Sequence, residues 1–239
     1  MTGAACAAPA RVSWSQGRAG AGGWRATSGR RVGRRWVGDR AVGYGRYHSA
    51  VAPGTELAEL AREASGCVRC PLSAGRTQVV FGVGDPDADL MFVGEAPGRE
   101  EDLRGEPFVG RSGKLLDRLV LEEIGVDRSR FYIANVVKCR PPDNRDPRAD
   151  EIAACRPYLG SQLELIRPKV VVTLGNFATK LLLETELGIT KVRGKSYPMG
   201  DWYLVPTYHP AAALRSGGVV VAEMRADLIR AKQLLGWSG

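Results

Sequence analysis

The sequence lacks any run of 18 or more apolar residues, and this absence excludes a membrane-spanning helix. The first 52 residues also lack leucine, isoleucine and lysine, although the whole chain of 239 residues is 44% hydrophobic. That segment holds ten glycines and only scattered tryptophans, so it would bury too little apolar surface to offset the entropy lost on ordering. We therefore expect residues 1–52 to be a disordered, Gly/Arg-rich basic leader and residues 53–239 to form the folded domain.

The net charge of +8 comes entirely from this leader. The leader contains nine of the 34 basic residues and one of the 26 acidic residues, so 25 of each remain in the rest of the chain. It lacks the compact apolar stretch of a secretory signal. Three interpretations stay open: an arginine arm that binds DNA phosphates, an organelle transit peptide, or upstream sequence translated from a misassigned start. The neutral folded part would have to bind nucleic acid through a few placed groups.

Short apolar runs alternate with helical patterns from residue 53 onward. Strands are predicted at 89–94, 131–137, 169–174 and 202–206, and helices at 55–64, 113–124, 150–166, 177–183 and 219–235, with Thr55 and Ser112 as N-caps. This alternation predicts an α/β fold with three α/β/α layers around a central, mostly parallel four-stranded sheet. Because the carboxyl ends of parallel strands share one edge, we expect Glu95, Asn135 and His209 to lie there together.

Four of the five cysteines have the spacing of a metal site. Cys67 and Cys70 form a CxxC turn, Cys139 follows a predicted strand, and Cys155 comes after fifteen further residues. Four thiolates suit either Zn²⁺ or a [4Fe–4S] cluster, and the spacing alone does not choose between them. The competing interpretation is a set of buried small side chains or disulfides. A thiolate metal site would place the protein in a reducing compartment, and we expect a cytoplasmic location.

Three further motifs accompany the cysteines. The first runs Gly94-Glu-Ala-Pro-Gly98, Glu101-Asp102, Gly105-Glu-Pro-Phe-Val-Gly110, Ser112-Gly113; the second is Tyr132-Ile-Ala-Asn-Val-Val-Lys-Cys-Arg-Pro-Pro142; the third is Val192-Arg-Gly-Lys195 with Tyr208-His-Pro210. Together they resemble the motifs of family 4 uracil-DNA glycosylases, from about residue 55 to the C-terminus. The resemblance implies the uracil-DNA glycosylase fold, a [4Fe–4S] cluster on the four cysteines, and hydrolysis of the bond between uracil and deoxyribose in base excision repair.

The matched residues suit that reaction, which requires the nucleotide to be flipped into a closed pocket. Phe108 would stack on the base, and the Asn135 amide would donate to O4 and accept from N3–H, a pattern that cytosine reverses. His209 would donate to O2 as negative charge develops on the leaving uracil. By resemblance, Glu95 would either position or activate the attacking water or stabilise the cationic sugar. Ala96 and Gly98 are further expected substrate-binding residues. Exclusion of thymine depends on what crowds C5 of the base, and Glu95, Ala96 and Gly98 are the alternatives for this role.

DNA contacts are expected next to these motifs. Arg111, Ser112 and Lys114 surround a helix start, where free N–H groups favour phosphate. Leu214 or Arg215 matches the family's loop that enters the space left by the flipped nucleotide. The expected partner is uracil-containing DNA, single- or double-stranded, bound by a monomer away from membranes.

Two alternatives compete with the interpretation as a turnover enzyme. A sibling group captures the abasic sugar covalently, using Gln at the position of Ala96 and an inserted loop with a histidine after the Arg-Gly pair. Here Arg193-Gly194 is followed directly by Lys195-Ser-Tyr-Pro198, which favours a monofunctional hydrolase. The runner-up is a non-catalytic nucleic-acid-binding module stabilised by its metal cluster.

Overall fold

The computed structural model describes residues 53–237. The predicted basic leader, and Cys6 within it, lie outside the described residues. Within residues 53–237, no helix is long and apolar enough to cross a membrane.

A six-stranded mixed sheet forms the centre of the fold, in the order β1-β3-β2-β4-β6-β5. Its strands are β1 (Val83–Gly84), β2 (Leu90–Gly94), β3 (Tyr132–Asn135), β4 (Val170–Leu174), β5 (Tyr197–Pro198) and β6 (Tyr203–Thr207). The four inner strands are parallel, and β1 and β5 add antiparallel edges. The α/β class with a mostly parallel sheet is thus confirmed. The predicted count of four strands was too low, because edge strands of two residues are too short to show a periodic pattern.

Eight helices connect the strands within residues 53–237. They are α1 (Pro53–Ser65), α2 (Arg99–Arg104), α3 (Arg111–Glu123), α4 (Ala149–Ile166), α5 (Asn176–Leu183), α6 (Ile189–Val192), α7 (Pro210–Ser216) and α8 (Gly218–Leu235). The predicted N-caps were wrong. Helix α3 is capped by Gly110, which puts Ser112 inside its first turn, and Thr55 lies in the first turn of a helix that begins at Pro53, a residue favoured at that position.

Apolar side chains pack on both faces of the sheet, which confirms the three layers. Along β2, Met91 and Val93 face the layer of α1, α4 and α5, whereas Leu90 and Phe92 face the layer of α3 and α8. Because the inner strands are buried on both faces, only their ends leave polar groups accessible. The carboxyl ends of β2, β3 and β6 lie at the same edge of the sheet. Glu95 directly follows β2, Asn135 ends β3, and His209 lies two residues after the end of β6.

Candidate active site

Gly94, Asn135 and Phe108 form the floor of a site at this edge. Gly94 and Asn135 end neighbouring strands and pair in register. A Cβ added to Gly94 would lie 2.5 Å from Asn135 Oδ1 and 2.5 Å from Phe108 Cζ. Glycine at position 94 therefore lets the amide and the aromatic ring approach each other across the end of β2.

The Asn135 side chain presents an unused hydrogen-bond acceptor. The residue is only 1% exposed, and its Oδ1 has no hydrogen-bond partner among the described residues. An unsatisfied buried polar atom costs about 1–3 kcal/mol, so native proteins keep few of them. An acceptor buried in this way, beside an aromatic ring, suits a planar ligand that carries an N–H group.

His209 stands opposite Phe108 with a defined tautomer. The two ring centroids lie 5.7 Å apart at an interplanar angle of 34°. His209 Nδ1 accepts a hydrogen bond from the Ala211 N–H at 3.1 Å, so the neutral ring carries its proton on Nε2. Burial, and secondarily the charge of Arg215, lowers the pKa of His209 to about 4. Near neutral pH this side chain is therefore an uncharged donor.

Among the acidic groups of the site, Glu95 has the pKa that departs most from its ordinary value. Burial, followed by the nearby charge of Asp146, raises the pKa of Glu95 from 4.5 to about 7. A carboxylate with a pKa near 7 is suited to accept a proton from water or to place negative charge beside a developing cation. Asp146 belongs to the loop before α4, so this loop borders the site.

Phe108 has an unusual backbone conformation, with φ of +54°. The residue lies between α2 and α3 and is 6% exposed. Bulky residues rarely occupy this left-handed region, and such conformations concentrate at functional sites. The predicted stacking residue is thus held in a conformation that the surrounding structure must maintain.

The other predicted site residues lie on segments next to this floor. Ala96 packs against the core on the side of α1 and α4, and Gly98 caps α2, where an added Cβ would approach Glu101 Oε2 to 2.8 Å. The first turn of α3 contains Arg111, Ser112 and Lys114. Helix α7 begins directly after His209, and two of its exposed residues are Leu214 and Arg215.

The four cysteines converge on one small cavity beside the sheet. All four are free thiols; Cys139 and Cys155 are buried, and Cys67 and Cys70 are partly exposed. Two N–H groups point at their sulfurs: Arg76 Nη1 lies 3.4 Å from Cys139 Sγ, and the Lys138 backbone nitrogen lies 3.2 Å from Cys155 Sγ. Such N–H···S contacts are typical of metal-bound thiolates. The donor set therefore fits a thiolate-bound metal group.

The structure also gives roles to basic residues that the sequence did not single out. Lys138 is only 1% exposed. Its Nζ donates to the Asn135 carbonyl at 2.8 Å and to Gln162 Oε1 at 2.6 Å. Arg128 contacts the backbone around Phe108, although it lies in no recognised motif. Only the position of Lys138 beside Cys139 offered a signal in the sequence.

Comparisons with known proteins agree with this arrangement. The family described as the uracil DNA glycosylase superfamily matches residues 81–229. The type-4 uracil-DNA glycosylase of Sulfurisphaera tokodaii is 51% identical over 166 residues, which cover 66% of this chain and 76% of that protein. The type-4 uracil-DNA glycosylase of Archaeoglobus fulgidus is 48% identical over 166 residues, 66% of this chain and 83% of that protein. A type-5 uracil-DNA glycosylase of Thermus thermophilus is 32% identical over 178 residues, 66% of this chain and 80% of that protein.

Proposed function

The chain belongs to the uracil DNA glycosylase superfamily and to its type-4 branch, and from this premise we propose how its residues divide the work. The protein is a uracil-DNA glycosylase of base excision repair, a hydrolase of N-glycosyl bonds. It releases uracil from DNA and leaves an abasic site. The observation that carries the residue assignments is the buried, unpartnered Oδ1 of Asn135 at the end of β3.

Asn135 reads the base in this proposal. Its Oδ1 accepts from N3–H of uracil, and its amide N–H donates to O4, so a fixed amide rejects cytosine, which presents the opposite groups. Binding uracil satisfies an acceptor that is otherwise unpaired, and this favours the correct base by more than a solvent-exposed hydrogen bond would. Ala96 and Gly98 line the same proposed pocket.

Phe108 supplies the stacking face, worth about 1–3 kcal/mol for a base on an aromatic side chain. His209 lies across from it and donates its Nε2–H to O2 as negative charge develops on the departing uracil. The donor is neutral near pH 7 because the pKa of His209 is lowered to about 4. It therefore stabilises the anionic leaving group through a placed hydrogen bond rather than a full positive charge.

Glu95 acts on the sugar side of the scissile bond. As a carboxylate it accepts a proton from the attacking water, and its charge faces the cationic sugar of the transition state. The pKa of about 7 lies close to the pH at which such a base is most effective.

DNA contacts come from the first turn of α3 and from α7. Arg111, Ser112 and Lys114 bind phosphate at the start of α3, where backbone N–H groups point outward. Leu214 is 44% exposed, and it lies with Arg215 on α7, the helix that begins directly after His209. We propose that one of the two enters the space left by the flipped nucleotide. The proposed substrate is uracil-containing DNA, either single- or double-stranded. That the protein acts as a monomer stays a prediction.

The four cysteines are proposed to hold a [4Fe–4S] cluster, with zinc as the alternative. Four thiols line one cavity, and two of their sulfurs lie within hydrogen-bond distance of N–H groups. These contacts suit either metal group, and the family resemblance favours the iron–sulfur cluster over zinc. When bound, the cluster cross-links the segment after α1 to β3 and α4. The free thiols support action in the reducing cytoplasm.

A base-release assay tests the proposal. Single- and double-stranded oligonucleotides that contain one uracil are incubated with the protein, and abasic sites are then cleaved with alkali. Strand cleavage is expected with the wild type, is strongly reduced in His209→Ala, and is unchanged in His48→Ala, which removes the chain's only other histidine. DNA binding without base release would instead support the non-catalytic binding module.

A further inference from the structure

The backbone of Phe108 is constrained by packing on its carbonyl side. Its φ of +54° turns the chain sharply between α2 and α3. A Cβ at Gly113 would lie 1.6 Å from the Phe108 oxygen, so only glycine at position 113 leaves room for this carbonyl against α3. The conformation of Phe108 therefore depends on the contacts that fix its two peptide groups.

Arg128 holds the carbonyl groups of this turn. Its Nη1 donates to the Pro107 oxygen at 3.0 Å, and its Nη2 donates to the Phe108 oxygen. Its Nε donates to Asp117 Oδ1 at 2.8 Å, which leaves the guanidinium fork pointing at the two carbonyls. The planar, forked geometry of arginine is what makes two such parallel bonds possible.

Glu101 holds the amide groups on the other side of the turn. Its Oε1 accepts from the Val109 N–H at 3.0 Å and from the Gly110 N–H at 2.9 Å. One cation thus binds the carbonyls up to Phe108, and one carboxylate binds the amides directly after it. All four of these contacts are to backbone atoms, so they fix the direction in which the Phe108 side chain leaves the backbone without binding the ring itself.

We propose that Arg128, oriented by Asp117, is a positioning residue for base excision: it fixes the Phe108 backbone so that the ring is presented to the flipped uracil. Arg128 acts through Phe108 and touches neither the base nor the phosphates. This inference rests on the proposed stacking role of Phe108. Its consequence is that Arg128 has no function in catalysis once the Phe108 ring has been removed.

A double-mutant cycle tests this dependence. Arg128→Met and Phe108→Ala are made singly and together, and base release is measured under single-turnover conditions at saturating protein. Arg128→Met is expected to slow release roughly tenfold in the wild-type background and less than about twofold in the Phe108→Ala background. Thermal unfolding of all four proteins is recorded, because a merely structural role would lower stability and activity equally in both backgrounds.

Three companion variants separate positioning from charge. Arg130→Met removes the same charge two residues away, at an exposed position, and should release uracil at the wild-type rate. Arg128→Lys keeps the charge but cannot bind both carbonyls, so it should restore only part of the rate. Asp117→Asn is the milder variant if Arg128→Met folds poorly, and its smaller loss should also vanish in the Phe108→Ala background.

Two results would overturn the inference. One is an equal loss of rate in both backgrounds, and the other is full rescue by lysine together with a changed salt dependence of DNA binding, which would assign Arg128 to a phosphate. Failure of the proposed function is distinguishable from either, because the wild type would then release no uracil.

Discussion

Acidification should inactivate the enzyme by protonating Glu95, and this should occur at a pH well above the pKa of an ordinary glutamate. Burial and the nearby Asp146 raise the pKa of Glu95 to about 7, and the proposed reaction needs the ionised carboxylate. Below the pKa, the active fraction falls tenfold with each pH unit, so about 1% of the maximal rate should remain at pH 5. The titration of His209, with a pKa of about 4, lies too far below to account for this loss.

The raised pKa of Glu95 also makes stability depend on pH. The direction is opposite to that of most carboxyl groups, whose pKa is lowered on folding. The folded state holds the Glu95 proton more tightly than the unfolded state, whose pKa is near 4.5. The contribution of Glu95 to the free energy of unfolding is therefore fully present below about pH 4.5. It is lost as the pH rises to about 7, and it does not change further above that pH. The loss is at most about 3 kcal/mol, and solvent screening of this partly exposed side chain reduces it to about 1 kcal/mol. Glu95→Gln should remove the loss and be more stable than the wild type at pH 8.

The assay is single-turnover base release from pH 5 to pH 9 at constant ionic strength and saturating protein. Glu95→Gln should be slow and nearly independent of pH. Asp146→Asn removes the second cause of the raised pKa, so its acid limb should move to lower pH. A wild-type rate that stays constant between pH 5 and pH 8, or a Glu95→Gln variant that keeps the wild-type profile, would refute the role assigned to Glu95.

Three further variants follow from the geometry of the site. Asn135→Ala should slow uracil release by about 10- to 100-fold through the lost base contacts, yet leave thermal unfolding almost unchanged, since it removes an acceptor that is already unpaired; a large drop in melting temperature would contradict this. Gly113→Ala should lower the melting temperature and abolish release, because its Cβ displaces the Phe108 carbonyl; wild-type unfolding would show that the turn adapts. Cys139→Ala should lose visible absorption and bound iron and unfold at a lower temperature, whereas a colourless wild type with stoichiometric zinc would reject the iron–sulfur assignment.

The central fold could be predicted because its signals are local and strong. Apolar runs such as 169–174 end at glycine or polar residues, and their alternation with helical patterns leaves few sheet topologies. Glu95, Asn135 and His209 could then be placed together, since the ends of parallel strands meet at one edge. Helix starts were harder, as at α3, where Gly110 rather than Ser112 is the cap.

The contacts that shape the site could not be predicted, because they join distant residues through the backbone. Arg128 binds the carbonyl of Phe108, twenty residues away, and nothing in the sequence around Arg128 marks it as a residue that binds backbone carbonyls. The left-handed conformation of Phe108 was equally hidden, since phenylalanine rarely adopts it. The sequence motif identified the residue, but only the structure showed what holds it.

Lys138 links the cysteine site to the segment that carries Asn135. A fully buried ammonium group is costly unless it is hydrogen-bonded and its charge is compensated. Two oxygens accept from its Nζ, those of Asn135 and Gln162, and its backbone nitrogen donates to Cys155 Sγ. Burial lowers the pKa of Lys138 to about 8, and Cys155 opposes that shift, so the cation is best tolerated beside a thiolate site. The cysteine site and the Asn135 segment are therefore joined through one residue.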